Sequence, residues 1–191
     1  MASRSRTALL VIDVISDFRF EDGPTLLRHF GPVARNIARL AGLARAAGIP
    51  VIYANDNFGR WRSDATRLVE ACCDPSLPGA RYVQMLAPTP EDYFVLKPRH
   101  SAFYASALEA LLSYMGARRL VITGLSSHQC VLFTANDAYV REYELKIPRD
   151  CIAAPRARET DLALRYFEMV LGADTRRSSM LRQWRPKGRR R

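Results

Sequence analysis

The sequence predicts an α/β fold, three αβα layers built on a mostly parallel sheet. Three observations carry that prediction. Short β-rich apolar runs alternate with segments whose apolar residues recur at helical spacing. The runs are continuous rather than alternating, as in strands buried on both faces. The chain has 191 residues, 48% of them hydrophobic and 25% charged, which suits a single soluble core.

Taken in order, TALLVID (7–13) reads as the first strand. PVARNIARLAGLARAA (32–47) reads as a helix, with Pro32 near its start and Gly48 just past its end. IPVIYA (49–54) and DYFVLK (92–97) read as strands two and three, and ASALEALLSYM (105–115) as a helix stopped by Gly116. RLVITG (119–124) is the fourth strand and QCVLFTANDAYVRE (129–142) the helix after it. ELKIPRD (144–150) reads as a fifth strand and 159–171 as a final helix. Strands and helices in this alternation imply right-handed βαβ crossovers, with helices on both faces. The irregular stretch 56–90, with a helix expected around 64–72, is the kind of insertion that shapes a site. No repeat or linker marks a second domain. The expected organisation is one domain over 1–175 and a basic tail over 176–191.

The formal net charge of +10 is a nucleic-acid signal only until it is located. Residues 176–191 hold seven arginines, Lys187 and no acid, leaving 21 basic and 19 acidic residues in the body. No apolar run is long enough to span a membrane, and MASRSR leads into no signal-peptide pattern, so a cytoplasmic protein is expected. The four cysteines, Cys72, Cys73, Cys130 and Cys151, lack C-x-x-C spacing, which argues against a disulfide framework or a zinc site. Only three of 29 basic residues are lysine: Lys97, Lys146 and Lys187. A lysine kept in so arginine-rich a chain is a candidate for work a bulky, permanently charged guanidinium cannot do.

Ligands of open parallel sheets bind beyond the carboxyl ends of the strands. Strand one delivers Asp13 there, strand two Asn55-Asp56-Asn57, strand three Lys97, and strand four the loop to Cys130. Cys130 falls in the first helical turn, where the dipole favours thiolate and a lowered thiol pKa is expected. A carboxylate can take the thiol proton and return it to a leaving nitrogen, while an ammonium holds that carboxylate.

The sequence resembles the isochorismatase-like cysteine hydrolases, a family that includes nicotinamidases and carbamoyl-amide hydrolases. LLVIDVISDF (9–18), VIYANDNFGRW (51–61), FVLKPRHSAFYAS (94–106), TGLSSHQCVLFTANDAYVRE (123–142) and PRDC (148–151) carry the resemblance, across about residues 7–153. It implies a six-stranded sheet and an Asp-Lys-Cys triad that maps onto Asp13, Lys97 and Cys130. It also implies a cis peptide at Leu125–Ser126, aiming the N–H groups of Ser126 and Cys130 at an oxyanion. Two positions depart from the family pattern. Ile15 replaces the glutamine of D-x-Q-x-D-F. Asp56-Asn57-Phe58 replaces the D-x-H of the metal-binding nicotinamidases, so neither a metal nor a nicotinamidase activity is expected, and no other cofactor.

Phe18, Asn57, Trp61, Arg62, Phe103, Ser127 and His128 are candidates for the substrate pocket, each with an alternative as packing or surface. Arg62 and Arg99 hint at an anionic substrate group. Cys72, Cys73 and Cys151 read as packing residues. The leading functional reading is a metal-independent hydrolase of a small amide, ureido or carbamoyl compound, working as a homodimer or homotetramer. The alternatives are a binding protein whose tail engages nucleic acid or an acidic partner, and a redox thiol protein. The first has only Trp184 for base stacking, and the second lacks a resolving cysteine nearby.

Overall fold

A computed structural model of the chain describes residues 5–59 and 64–181. Six strands and six helices follow one another as β1 (Thr7–Ile12), α1 (Gly23–Ala46), β2 (Val51–Asp56), α2 (Ala65–Cys72), α3 (Ala80–Leu86), β3 (Tyr93–Lys97), α4 (Leu108–Met115), β4 (Arg119–Leu125), α5 (Cys130–Val140), β5 (Glu144–Lys146), β6 (Ile152–Ala153) and α6 (Ala157–Met169). The sheet runs β3-β2-β1-β4, and β4 pairs on its other side with β5 and, further along, with β6. Every pairing is parallel. Among the described residues no helix is long and apolar enough to cross a membrane. The end of the basic tail, 182–191, lies outside the described residues.

β1 is the spine of this arrangement, and its six residues are all buried. Ala8, Leu10 and Ile12 face one apolar cluster, against α4, α5 and α6. Leu9 and Val11 face the other, against α1, α2 and α3. A strand with no polar face can lie only between two helical layers, which is why this run lacks alternation. Each such side chain contributes about 1.5–3 kcal/mol on burial.

Three elements differ from the sequence reading. The first helix starts at Gly23 rather than Pro32, with a second proline, Pro24, in its opening turn and Pro32 inside it. Leu26 and Phe30 extend the buried stripe of Ala34, Ile37, Leu40, Ala41 and Ala44. That packing outweighs the backbone bond that Pro32 cannot make. The run 144–150 is not one strand: β5 stops at Lys146, Pro148 intervenes, and β6 resumes at Ile152 against Gly124 and Leu125. The insertion holds α3 in addition to the expected α2.

Register then sets the site. Ile12 lies beside both Ala54 and Gly124, and Asp56 beside Lys97. Strands β1 to β4 therefore end along one rim. Gly124 has φ of 114°, and a Cβ there would sit 2.0 Å from the Ile12 carbonyl oxygen. Only glycine allows β4 to pass β1 this closely before the chain turns toward Cys130.

Candidate active site

Asp13 follows β1 in the left-handed region, φ 50°. Its N–H donates to the Ala54 carbonyl at 3.0 Å. The loop after it is clamped by Asn55, whose Oδ1 accepts from Ile15 N–H at 3.0 Å and whose Nδ2 donates to Ile15 O at 2.9 Å. Asp13 Oδ1 accepts from Asp56 N–H at 2.7 Å. Its Oδ2 lies 2.7 Å from Lys97 Nζ. Lys97 is fully buried. Its ammonium also donates to Arg99 O at 3.1 Å, faces Cys130 Sγ at 3.6 Å, and has Asp56 Oδ2 at 4.0 Å. Every lone cation buried in a protein needs such company. Asp13, Lys97 and Cys130 thus meet at one point, from three separate segments of chain.

Cys130 opens α5 and is buried. The Leu125–Ser126 bond before it is cis, as the resemblance implies. Ser126 O accepts from Gln129 N–H and Val131 N–H, which tightens the turn. The N–H groups of Ser126 and Cys130 have no hydrogen-bond partner among the described residues. A pocket of about 390 Å³ opens beside the thiol. Asp13, Ser126 and Cys130 line it together with apolar Phe18, Phe20, Leu26, Phe58 and Leu125 and polar Ser16, Asp56, His100 and Gln129. Asp13, Phe18 and Phe58 each have φ near +50°, a conformation a phenylalanine rarely adopts. Such residues cluster where a site holds its backbone against preference.

The electrostatics differ from the expectation of a resting thiolate. Burial, and next the Asp13 carboxylate, push the Cys130 thiol from its ordinary 9.0 up to about 12, against the opposing pull of Lys97. Burial also raises Asp13, although Lys97 holds it down in part. Burial works against the Lys97 ammonium, but Asp13, Cys130 and Asp56 outweigh it and raise its pKa. At neutral pH the sulfur therefore keeps its proton beside a carboxylate made more basic by its surroundings. The helix start alone does not make a thiolate here, because burial and the Asp13 carboxylate outweigh it and the Lys97 ammonium together.

Of the residues singled out from sequence, Phe18 lines the pocket and is fixed against Phe20 and Phe30. Trp61 and Arg62 lie outside the described residues. Four others stand off the pocket wall formed by the described residues. Asn57 uses its Oδ1 to accept from Gly59 N–H, closing a turn. Phe103 is buried against Tyr143 and under the Arg141 guanidinium. Ser127 is fully buried and donates its hydroxyl to Thr160. His128 has its Nδ1 buried with no partner among the described residues. The sequence reading missed His100, whose Nδ1 lies 3.5 Å from Cys130 Sγ. Its only signal was its place three residues after Lys97. Among the described residues no group of three or more His, Cys, Asp or Glu side chains could hold a metal ion.

Comparison with known proteins places this geometry in a family. The Isochorismatase domain matches residues 7–177. An uncharacterized isochorismatase family protein of Bacillus subtilis, YaaI, is 40% identical over 172 residues, covering 90% of this chain and 94% of its own. The ureidoacrylate amidohydrolase RutB of Methylorubrum extorquens is 32% identical, covering 87% of this chain and 77% of its own. The crystal structure of N-carbamoylsarcosine amidase from Thermoplasma acidophilum superposes with a TM-score of 0.69 at 25% identity, over 93% of this chain and 99% of that one. With a match across nearly the whole fold and a relative this similar, the chain belongs to the isochorismatase family.

Proposed function

We propose that this protein is a metal-independent cysteine hydrolase that cleaves the C–N bond of a small amide, ureido or carbamoyl compound through a Cys130 thioester. The observation that carries the reading is the convergence of Asp13, Lys97 and Cys130, within 2.7 and 3.6 Å of the Lys97 ammonium, at the wall of a pocket. Relatives named for ureidoacrylate and N-carbamoylsarcosine support the substrate class.

The chemistry follows from the charges. Cys130 Sγ attacks the substrate carbonyl while Asp13 takes its proton, a transfer favoured because burial raises the carboxylate's basicity. Lys97 holds Asp13 in place and offsets negative charge gathering at the sulfur. The free N–H groups of Ser126 and Cys130 are donors for the oxyanion, a role worth about 3–4 kcal/mol for each well-aimed donor. As the C–N bond breaks, Asp13 returns the proton to the leaving nitrogen. Water then cleaves the thioester and restores the thiol.

A pocket of about 390 Å³ lined by both aromatic and polar residues suits a small, partly flat molecule. The reading includes a homodimer or homotetramer in solution, which sedimentation would establish. Its direct test is product release from a panel of carboxamides, ureido acids and carbamoyl amino acids, with Cys130→Ala run beside the wild type. Turnover in the wild type alone is the expected result. No turnover of any panel member, with Cys130 also inert to iodoacetamide, would overturn it.

A further inference from the structure

Hydrolysis through a thioester needs two proton-handling events at one sulfur, and the buried pair accounts most directly for the first. Asp13 and Lys97 lie beneath Cys130, with side chains 15% and 0% exposed. His100 instead is exposed at the pocket wall, its ring tilted against Phe133 with centroids 5.4 Å apart. Its Nδ1 is 3.5 Å from Cys130 Sγ, and no other hydrogen bond to its ring is seen among the described residues. A thioester carbonyl carbon would be bonded directly to that sulfur. A water arriving from the open pocket to attack that carbon comes within reach of the imidazole.

We propose, on the basis of the hydrolase reading above, that His100 is a further catalytic residue, the general base and acid of thioester hydrolysis. The neutral Nδ1 accepts a proton from the water as its oxygen bonds to the carbonyl carbon. When the tetrahedral intermediate collapses, the C–S bond breaks and its electron pair stays on Sγ. The imidazolium returns its proton across the 3.5 Å contact. The carboxylic or carbamic acid departs, and both His100 and Cys130 are back in their starting protonation states. Histidine suits the task because one ring nitrogen can accept a proton and later donate it.

The test uses the full-length protein and p-nitrophenyl acetate, whose good leaving group makes acylation independent of Asp13 as an acid. His100→Gln keeps a side chain that can hydrogen-bond the sulfur but cannot shuttle a proton, and His100→Ala removes both. Nitrophenolate release in a stopped-flow burst reads acylation; the steady state and intact-protein mass read thioester hydrolysis. The expected result is a burst within about threefold of wild type in both variants. Steady-state turnover should fall roughly 10²-fold or more, the usual contribution of general acid–base catalysis. An acetyl adduct should accumulate on Cys130, and hydroxylamine, which attacks thioesters without a base, should discharge it. Added imidazole should partly rescue His100→Ala, which a merely structural role does not predict. Wild-type hydrolysis rates in His100→Gln, or a lost burst with unchanged hydrolysis, would overturn this role while leaving the hydrolase reading intact. Failure of wild-type Cys130 to acylate at all would overturn both.

Discussion

β3 carries a buried acid–base pair at each end, and the two differ in kind. Just before the strand, Asp92 is 2% exposed and gripped by Arg45, Nε to Oδ1 at 3.0 Å and Nη2 to Oδ2 at 2.6 Å. Thr89 adds its N–H at 2.7 Å and its hydroxyl at 3.1 Å. At the other end Lys97 meets Asp13, but it divides its ammonium among a carboxylate, a carbonyl and the Cys130 sulfur. The arginine fork locks one carboxylate and leaves it nothing further to do. The lysine point charge is shared with a group that can gain or lose a proton. A buried ion pair becomes chemistry when a third, titratable partner joins it and a pocket reaches that partner.

The largest effect should separate the two ends by function. Cys130→Ala is expected to lower turnover about 10⁴-fold or more, and Asp13→Asn by roughly 10²–10⁴-fold. Asp92→Ala should leave kcat/KM within about twofold. Steady-state kinetics on one substrate would compare all three. A loss in Asp92→Ala as deep as in Asp13→Asn would erase the distinction.

The next effect is on stability. Asp92→Ala strands a guanidinium that is 28% exposed. It should cost about 2–3 kcal/mol, below the 3–5 of a fully buried pair because Arg45 stays partly hydrated. Urea unfolding would measure this. Asp13→Asn fills the same space and can still accept from Asp56 N–H, but it leaves the fully buried Lys97 ammonium without its nearest carboxylate and should cost about 3–5 kcal/mol.

The thiol gives a finer probe, because its two charged neighbours pull in opposite directions. Asp13 raises the Cys130 pKa and Lys97 lowers it. Asp13→Asn should therefore alkylate faster with iodoacetamide at pH 8 than wild type, although its turnover is lost. Lys97→Met should alkylate more slowly. Reactivity rising while activity falls would show that Asp13 serves as base rather than as thiolate stabiliser. Stability carries the same sign. From 9.0 in the unfolded chain to about 12 in the fold, the native state holds a proton that the unfolded state has released. Stability present below pH 9 is lost as pH climbs toward 12, on the order of 1 kcal/mol per unit from this thiol. Cys151, likewise pushed to about 12, adds to the slope, so Cys130→Ala should lessen it rather than remove it.

How far the sequence discloses all this depends on what holds each residue. Continuous apolar runs disclose β1, β2 and β4, because a strand covered on both faces has no other composition. Asp13 and Lys97 are legible because they stand at the ends of β1 and β3, and Cys130 because it opens the helix after β4. The start of α1 is hidden because Pro32 signals a beginning that tertiary packing of Leu26 and Phe30 overrides. β6 is hidden because two residues carry no period. His100 is hidden because its contact with Cys130 spans 30 residues and rests on how the chain turns after Lys97. The raised thiol pKa is hidden for the same reason: it follows from burial first and the Asp13 carboxylate next, and only folding supplies either. Ser127 and Asn57, beside the right residues in sequence, turn their side chains to the scaffold instead.

The smallest effect tests where the site stops. Ser127 stands three residues before Cys130, and its hydroxyl donates to Thr160 Oγ1 at 3.1 Å. Thr160 Oγ1 also accepts from Ala154 N–H at 3.0 Å, so one threonine ties the loop between β4 and α5 and the chain after β6 to α6. The loop has a second tether, Ser127 N–H to Ala153 O at 2.8 Å, which no side-chain substitution removes. Ser127→Ala should therefore cost about 1 kcal/mol, one buried hydrogen bond, with kcat within about threefold of wild type. Thr160→Val leaves both the Ser127 hydroxyl and the Ala154 N–H unpaired and should cost more, about 2–3 kcal/mol. Thermal unfolding beside steady-state rates would rank them. If Ser127→Ala instead lowered kcat as deeply as Asp13→Asn at unchanged stability, the hydroxyl and not the backbone would be what aims Ser126 and Cys130. The reactive end of the sheet would then extend through α5 into α6.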